Sequence, residues 1–139
     1  MTVNSLRASR KLQTFLLLVL FVGMSWGLLA PGAFRFLRSN PFSPFALFND
    51  VMLHFCVFAF VMLCFALAFS RGETSRIRAI AFLLGAHGVI TEILQAFIPT
   101  RTCDPLDLAA NFIGIAIGCK LALMYFAEKQ PATSYAERP

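Results

Sequence analysis

Residues 92–111 read EILQAFIPTRTCDPLDLAAN, and they lie between two of the most apolar runs in the chain. Within these twenty residues stand one Glu, one Gln, one Arg, two Asp and one Asn, with Pro99 and Pro105 marking a break in the middle. Proline is tolerated at the end of one helix and in the first turn of the next, and it disturbs a helix interior. The stretch therefore reads as a helix end, a turn and a helix start. Asp104 falls where an N-cap would sit, with its carboxylate available to the free amides of the following helix.

Outward from this break the sequence is that of a membrane protein. Of its 139 residues 58% are hydrophobic and only 14% charged, outside the usual globular range. An apolar bilayer core takes about 20 helical residues, and four runs are long enough: about 12–30, 51–70, 77–98 and 106–127. The expected fold is all-α, an integral membrane four-helix bundle. One transmembrane domain covers residues 1–130, and residues 131–139 form a polar, disordered cytoplasmic tail. Basic residues before the first run also fit a signal peptide, but the run continues through Trp26 to Ala30, longer than the usual apolar region of one.

The formal charge of +5 does not indicate nucleic acid, because the basic residues punctuate the ends of the apolar runs. Arg7, Arg10, Lys11, Arg71, Arg76, Arg78, Lys129 and Arg138 mark one side of the membrane, and Arg35, Arg38 and Arg101 the other. With Lys120 set aside as a snorkelling residue of the fourth helix, the bias places both termini in the cytoplasm. The four cysteines have no metal or redox spacing; most read as small packing residues, with Cys103 in the last outer loop.

Four alternating crossings put the loop between the first two helices and the loop between the last two on the same face of the membrane, whichever way the chain is inserted. The start of the second helix, the end of the third and the start of the fourth then meet at one end. Those places carry Asp50 and His54, Glu92 and Gln95, and Arg101, Asp104, Asp107 and Asn111. Asp50 and His54 are spaced i,i+4, as are Asp107 and Asn111, and Glu92 and Gln95 are i,i+3, so each pair shares a helix face. With the third helix ending near residue 98, Glu92 lies one and a half to two turns deep. An ionisable group in a membrane helix is expected to face the bundle interior or a wet cavity. Together these residues predict a polar pocket open to the outer face.

The pattern Glu92-x-x-Gln95-x-Phe97-x-Pro99-x-Arg101-x-x-Asp104-x-x-Asp107-x-x-Ala110-Asn111-x-x-Gly114, with Asp50-x-x-x-His54-Phe55 upstream, resembles the VanZ-like family of small bacterial membrane proteins. That family is named for a factor associated with teicoplanin resistance. The resemblance spans about Asp50 to Gly118, half the chain. It implies a four-helix protein of the bacterial cytoplasmic membrane, acting on the cell envelope, and it implies no particular reaction. The family pattern carries a lysine directly after its first aspartate, where this chain has Val51; a cation needed there would have to come from Arg101 or Arg38.

The expected function is binding, with or without chemical modification, of an anionic lipid-linked envelope component; a lipid-linked precursor or a lipid-tailed glycopeptide drug is the partner that fits. As an enzyme, the chain would use Glu92 as general acid or base and His54, held by Asp50, as its partner. Arg101 would clamp the anion, with Gln95, Asp104, Asp107 and Asn111 binding and orienting the substrate. A divalent metal held by Asp50, His54, Glu92 and Asp107 is compatible with the residue types, and no G-x-S-x-G nucleophile motif is present. Two other readings stay open: a proton-coupled transporter or channel, and a structural subunit in which the polar residues bond helices together. His87, five residues before Glu92 and off its face, reads as a packing histidine. Gly23-x-x-x-Gly27 and Gly114-x-x-x-Gly118 have the spacing of close helix approach.

Overall fold

The computed structural model describes residues 3–30, 50–99 and 103–129, with side chains from residue 10 in the first segment and from residue 51 in the second. Among them lie four helices long and apolar enough to cross a membrane, and no strand. They are α1 (Val3–Leu29), α2 (Asp50–Phe65, continued by a π turn over Ala66–Ser70), α3 (Thr74–Gln95) and α4 (Pro105–Glu128). The described part of the chain is all-helical and has the composition of a multi-pass membrane protein. The expected tail at 131–139 and the loop carrying Arg35 and Arg38 lie outside the described residues.

The helix ends differ from the expected ones for local reasons. Apolar character begins at Leu12, yet α1 begins at Val3, because Leu6, Arg7, Ala8, Arg10 and Lys11 before it are good helix formers. The third helix runs from Thr74 to Gln95 and not over 77–98. Past Gln95 the chain makes tight turns, Phe97 N–H to the Leu94 carbonyl at 3.1 Å and Ile98 N–H to the Gln95 carbonyl at 2.9 Å. Pro99 disfavours helical geometry at the residue before it. Glu92 is thereby in the last turn of α3, shallower than the sequence implied. At the other end of the molecule Arg71 and Gly72 take positive φ (53° and 81°) and reverse the chain between α2 and α3; the Ser70 hydroxyl accepts the Gly72 N–H at 3.2 Å.

The helices do not contribute equally. The most extensive pairing is α2 with α4, followed by α3 with α4, while α1 makes lesser contacts with α2 and α3. Glycine explains the first. A Cβ at Gly114 would lie 2.4 Å from the Phe55 carbonyl oxygen, and one at Gly118 would lie 2.6 Å from that of Ala59 and 2.7 Å from Met62 Cβ. Only hydrogen on the α4 side lets the two backbones come this close. The Gly23 side of α1 is different, with nothing within 4 Å of a Cβ built there, so the first glycine of that pair brings no helix close. Phe58, Val61, Met62, Ala66, Ile77, Leu84, Ile115 and Ala122 fill the centre, joined by Met24 and Leu28 of α1. Trp26, Phe82 and Phe97 stay exposed, as lipid-facing residues do.

Candidate functional site

Each polar side chain is delivered by a helix end. Asp104 caps α4, its carboxylate accepting the Leu106 N–H at 2.8 Å, and Pro105 follows at the first helical position. Three residues past a cap, a carboxylate often reaches back to the cap's own N–H. Here Glu92 of α3 takes that N–H instead, through Oε2 at 3.4 Å. Asp107, in the first turn of α4, is left to face α2. There His54 stands one turn inside the helix. Its Nδ1 lies 2.9 Å from Asn111 Oδ1 and 3.6 Å from Glu92 Oε1, and its Nε2 lies 3.8 Å from Asp107 Oδ2.

The result is a cluster built from three helices and shielded from the surroundings: His54, Glu92 and Asn111 are each 1% exposed and Asp107 6%. His54, Glu92 and Asp107 each bring one nitrogen or oxygen to within 4.8 Å of the others. An amide oxygen only accepts, so the neutral imidazole carries its hydrogen on Nδ1 and offers the Nε2 lone pair toward Asp107. Glu92 Oε1 and Asn111 Nδ2 are buried beside the ring without a hydrogen-bond partner. Unpartnered buried polar atoms cost about 1–3 kcal/mol each, a cost that simple helix cohesion does not require.

The other expected residues have separate places. Gln95 is buried, and its Nε2 donates to the Leu28 carbonyl of α1 at 2.9 Å, tying the last turn of α3 to the end of α1. Asp104 is engaged as a cap. Asp50 opens α2, but its side chain lies outside the described residues, as do Arg101 and Arg38. His87 pairs with Ser25 of α1, Nε2 to Oγ at 2.8 Å, with its ring against Phe21 at 4.6 Å between centroids. Two contributors escaped the sequence reading. Gly88, one turn before Glu92, leaves room for Asn111, whose Nδ2 would sit 3.3 Å from a Cβ there; its i,i+4 spacing from Glu92 was the available signal. Ser25 had none, since it meets His87 only through tertiary packing.

Neither a protein-family model nor a solved structure matches the chain. An uncharacterised protein of the fission yeast Schizosaccharomyces pombe is 30% identical over 78 residues, 55% of this chain. The aligned segment covers 48% of that protein, so the chain spans about half the length of the relative it matches.

Proposed function

We propose that this is a VanZ-like membrane protein whose polar cluster binds the anionic head of a membrane lipid or lipid-linked envelope component. The observation that carries the reading is the convergence of His54, Glu92 and Asp107 from three helices, all buried and within 4.8 Å of one another. Interhelical hydrogen bonds in membranes are worth about 0.6 kcal/mol on average, and Asn or Gln would supply them without two carboxylates. Ionisable groups inside a membrane bundle mark ligand sites or proton paths. A proton path is the weaker reading: among the described residues the buried side chains beyond the cluster are mainly apolar (Phe58, Val61, Met62, Leu84 and Ile115), and the buried hydroxyls of Thr91 and Ser70 are engaged by nearby backbone, the Gly88 carbonyl and the Gly72 N–H. In the proposed setting the membrane is the bacterial cytoplasmic membrane with both termini inside, so the cluster faces outward. Glu92 is the acid or base, His54 its partner, and Arg101 the clamp on the anion at the rim.

The test is the teicoplanin and vancomycin susceptibility of a sensitive bacterial host carrying the wild type, Glu92→Gln or Arg101→Ala at equal membrane levels, with retention of a polyisoprenyl phosphate by the purified proteins. Wild-type protection and lipid retention, both lost in the variants, are the expected result. Retention equal in all three proteins would leave the cluster a structural role alone.

A further inference from the structure

We infer that His54, Glu92 and Asp107 form a binding site for one divalent transition-metal cation, Zn²⁺ or Mn²⁺ in character, with Asn111 orienting the histidine. The inference rests on the reading of this cluster as a ligand site and names what occupies it. Three observations carry it. The donor set is one imidazole nitrogen and two carboxylates, which suits borderline and hard divalent ions and excludes a thiolate-type centre. Metal–ligand distances of 2.0–2.2 Å put opposed donors at most about 4.4 Å apart, and the three donors already lie within 4.8 Å of one another. Closing them onto one ion at Nε2, which lies 3.8 Å from Asp107 Oδ2, requires Glu92 Oε1, now 3.6 Å from Nδ1, to swing toward that edge of the ring. The tautomer also fits, since Nδ1–H donates to Asn111 Oδ1 at 2.9 Å and leaves Nε2 free to ligate. A ligating histidine characteristically gives its other N–H to a carbonyl or carboxylate in this way.

Glu92 supplies the independent sign of a ligand. Its Oε2 is bonded across the α3–α4 turn to the Asp104 N–H, whereas Oε1, 1% exposed with its residue, points toward the ring and has no hydrogen-bond partner. Two carboxylates and a neutral imidazole match a divalent charge, which removes the cost of holding two like charges in a sealed place. The cysteines do not enter the cluster. Three protein ligands leave at least one coordination position open for an anionic oxygen, which would have to enter between the helix ends because His54 and Glu92 are each 1% exposed. Specificity for anionic heads then comes from the metal as well as from the protein.

The test uses the full chain, purified in detergent with its affinity tag removed, stripped with chelator and titrated with Zn²⁺ and separately with Mn²⁺. One equivalent per chain is expected for the wild type. Glu92→Gln and Asp107→Asn, which keep side-chain volume, should each weaken it at least about 10-fold, and Asn111→Ala about 10–100-fold as an orienting partner; Asn111→Asp, which keeps the acceptor, should restore binding. His87→Gln should bind as the wild type does. Wild-type protein that takes up no metal, or equal uptake in the Glu92 and Asp107 variants, overturns the inference. Should a carboxylate variant fail to fold by circular dichroism, X-ray absorption of the zinc-loaded wild type decides: a shell of nitrogen and oxygen supports the site, and sulfur in the shell overturns it. Lipid retention measured on the same samples separates the two readings. Metal uptake without lipid retention removes the envelope ligand alone, and lipid retention that is indifferent to metal removes the metal alone.

Discussion

The two histidines of this chain sit in different surroundings, His54 buried near the start of α2 and His87 half-buried in the middle of α3. His54 is reached from α3 and α4 by Glu92, Asp107 and Asn111. His87 meets one hydroxyl, Ser25, and otherwise packs edge-on against Phe21 and near Phe58, with ring centroids 4.6 and 6.2 Å away. What separates them is which helices meet around each. His54 lies on the α2–α4 seam, where glycine lets the backbones approach until short side chains such as Asp and Asn reach across. His87 lies toward α1, whose looser packing is bridged by large rings. The spacing of the helices around each histidine thus decides which side chains can reach it.

The contrast can be broken at the seam. Replacing Gly114 by Val forces a Cβ to within 2.4 Å of the Phe55 carbonyl and should cost about 3 kcal/mol or more, the upper range for overpacking, read as earlier unfolding in a denaturing-detergent titration. Gly23→Val, where a Cβ meets nothing within 4 Å, should change stability by no more than about 0.5 kcal/mol. Equal losses at the two glycines would mean that α1 packs as tightly as α4, and the explanation of the two histidines would fail.

The next effect is at the histidines themselves. His54→Phe strands Asn111 Oδ1, adding to the unpartnered Glu92 Oε1 and Asn111 Nδ2, and should cost about 1–3 kcal/mol together with lipid retention. His87→Phe loses only the Ser25 bond, worth about 0.6 kcal/mol within a membrane, among rings that accept another ring; retention should be unchanged. A His87 variant that abolished retention would place function in the wrong region. Smallest of all, Arg76→Ala removes an ion pair to Glu73 whose partners are about half exposed (48% and 50%). It should shift stability by a few tenths of a kcal/mol, as exposed i,i+3 pairs do, and fixes the baseline against which the other differences are read.

Four helices and the gathering of His54, Glu92, Asp107 and Asn111 were legible because both follow from periodicity and from alternating passage through the membrane. Those constraints act along the chain and need no tertiary detail. Helix ends were less legible: Pro99 signalled a stop, but the tight turns over Ala96–Ile98 that brought it forward depend on local backbone bonding. The partner of Gln95 was not legible at all, because the Leu28 carbonyl is a backbone group and no residue identity announces it. Likewise, two Gly-x-x-x-Gly spacings looked alike, and only the residues opposite them distinguish Gly114, pressed against Phe55, from Gly23, which faces open space.

The Gln95–Leu28 bond has a bearing on biogenesis. The carbonyl at Leu28 belongs to the last turn of α1, where no intrahelical donor is available, and its side-chain partner lies 67 residues further along the chain. During synthesis the first helix enters the bilayer long before Gln95 has left the ribosome. The end of α1 therefore stays without this partner until α3 has been made, so α1 enters the bilayer before the bond that fastens its end can form.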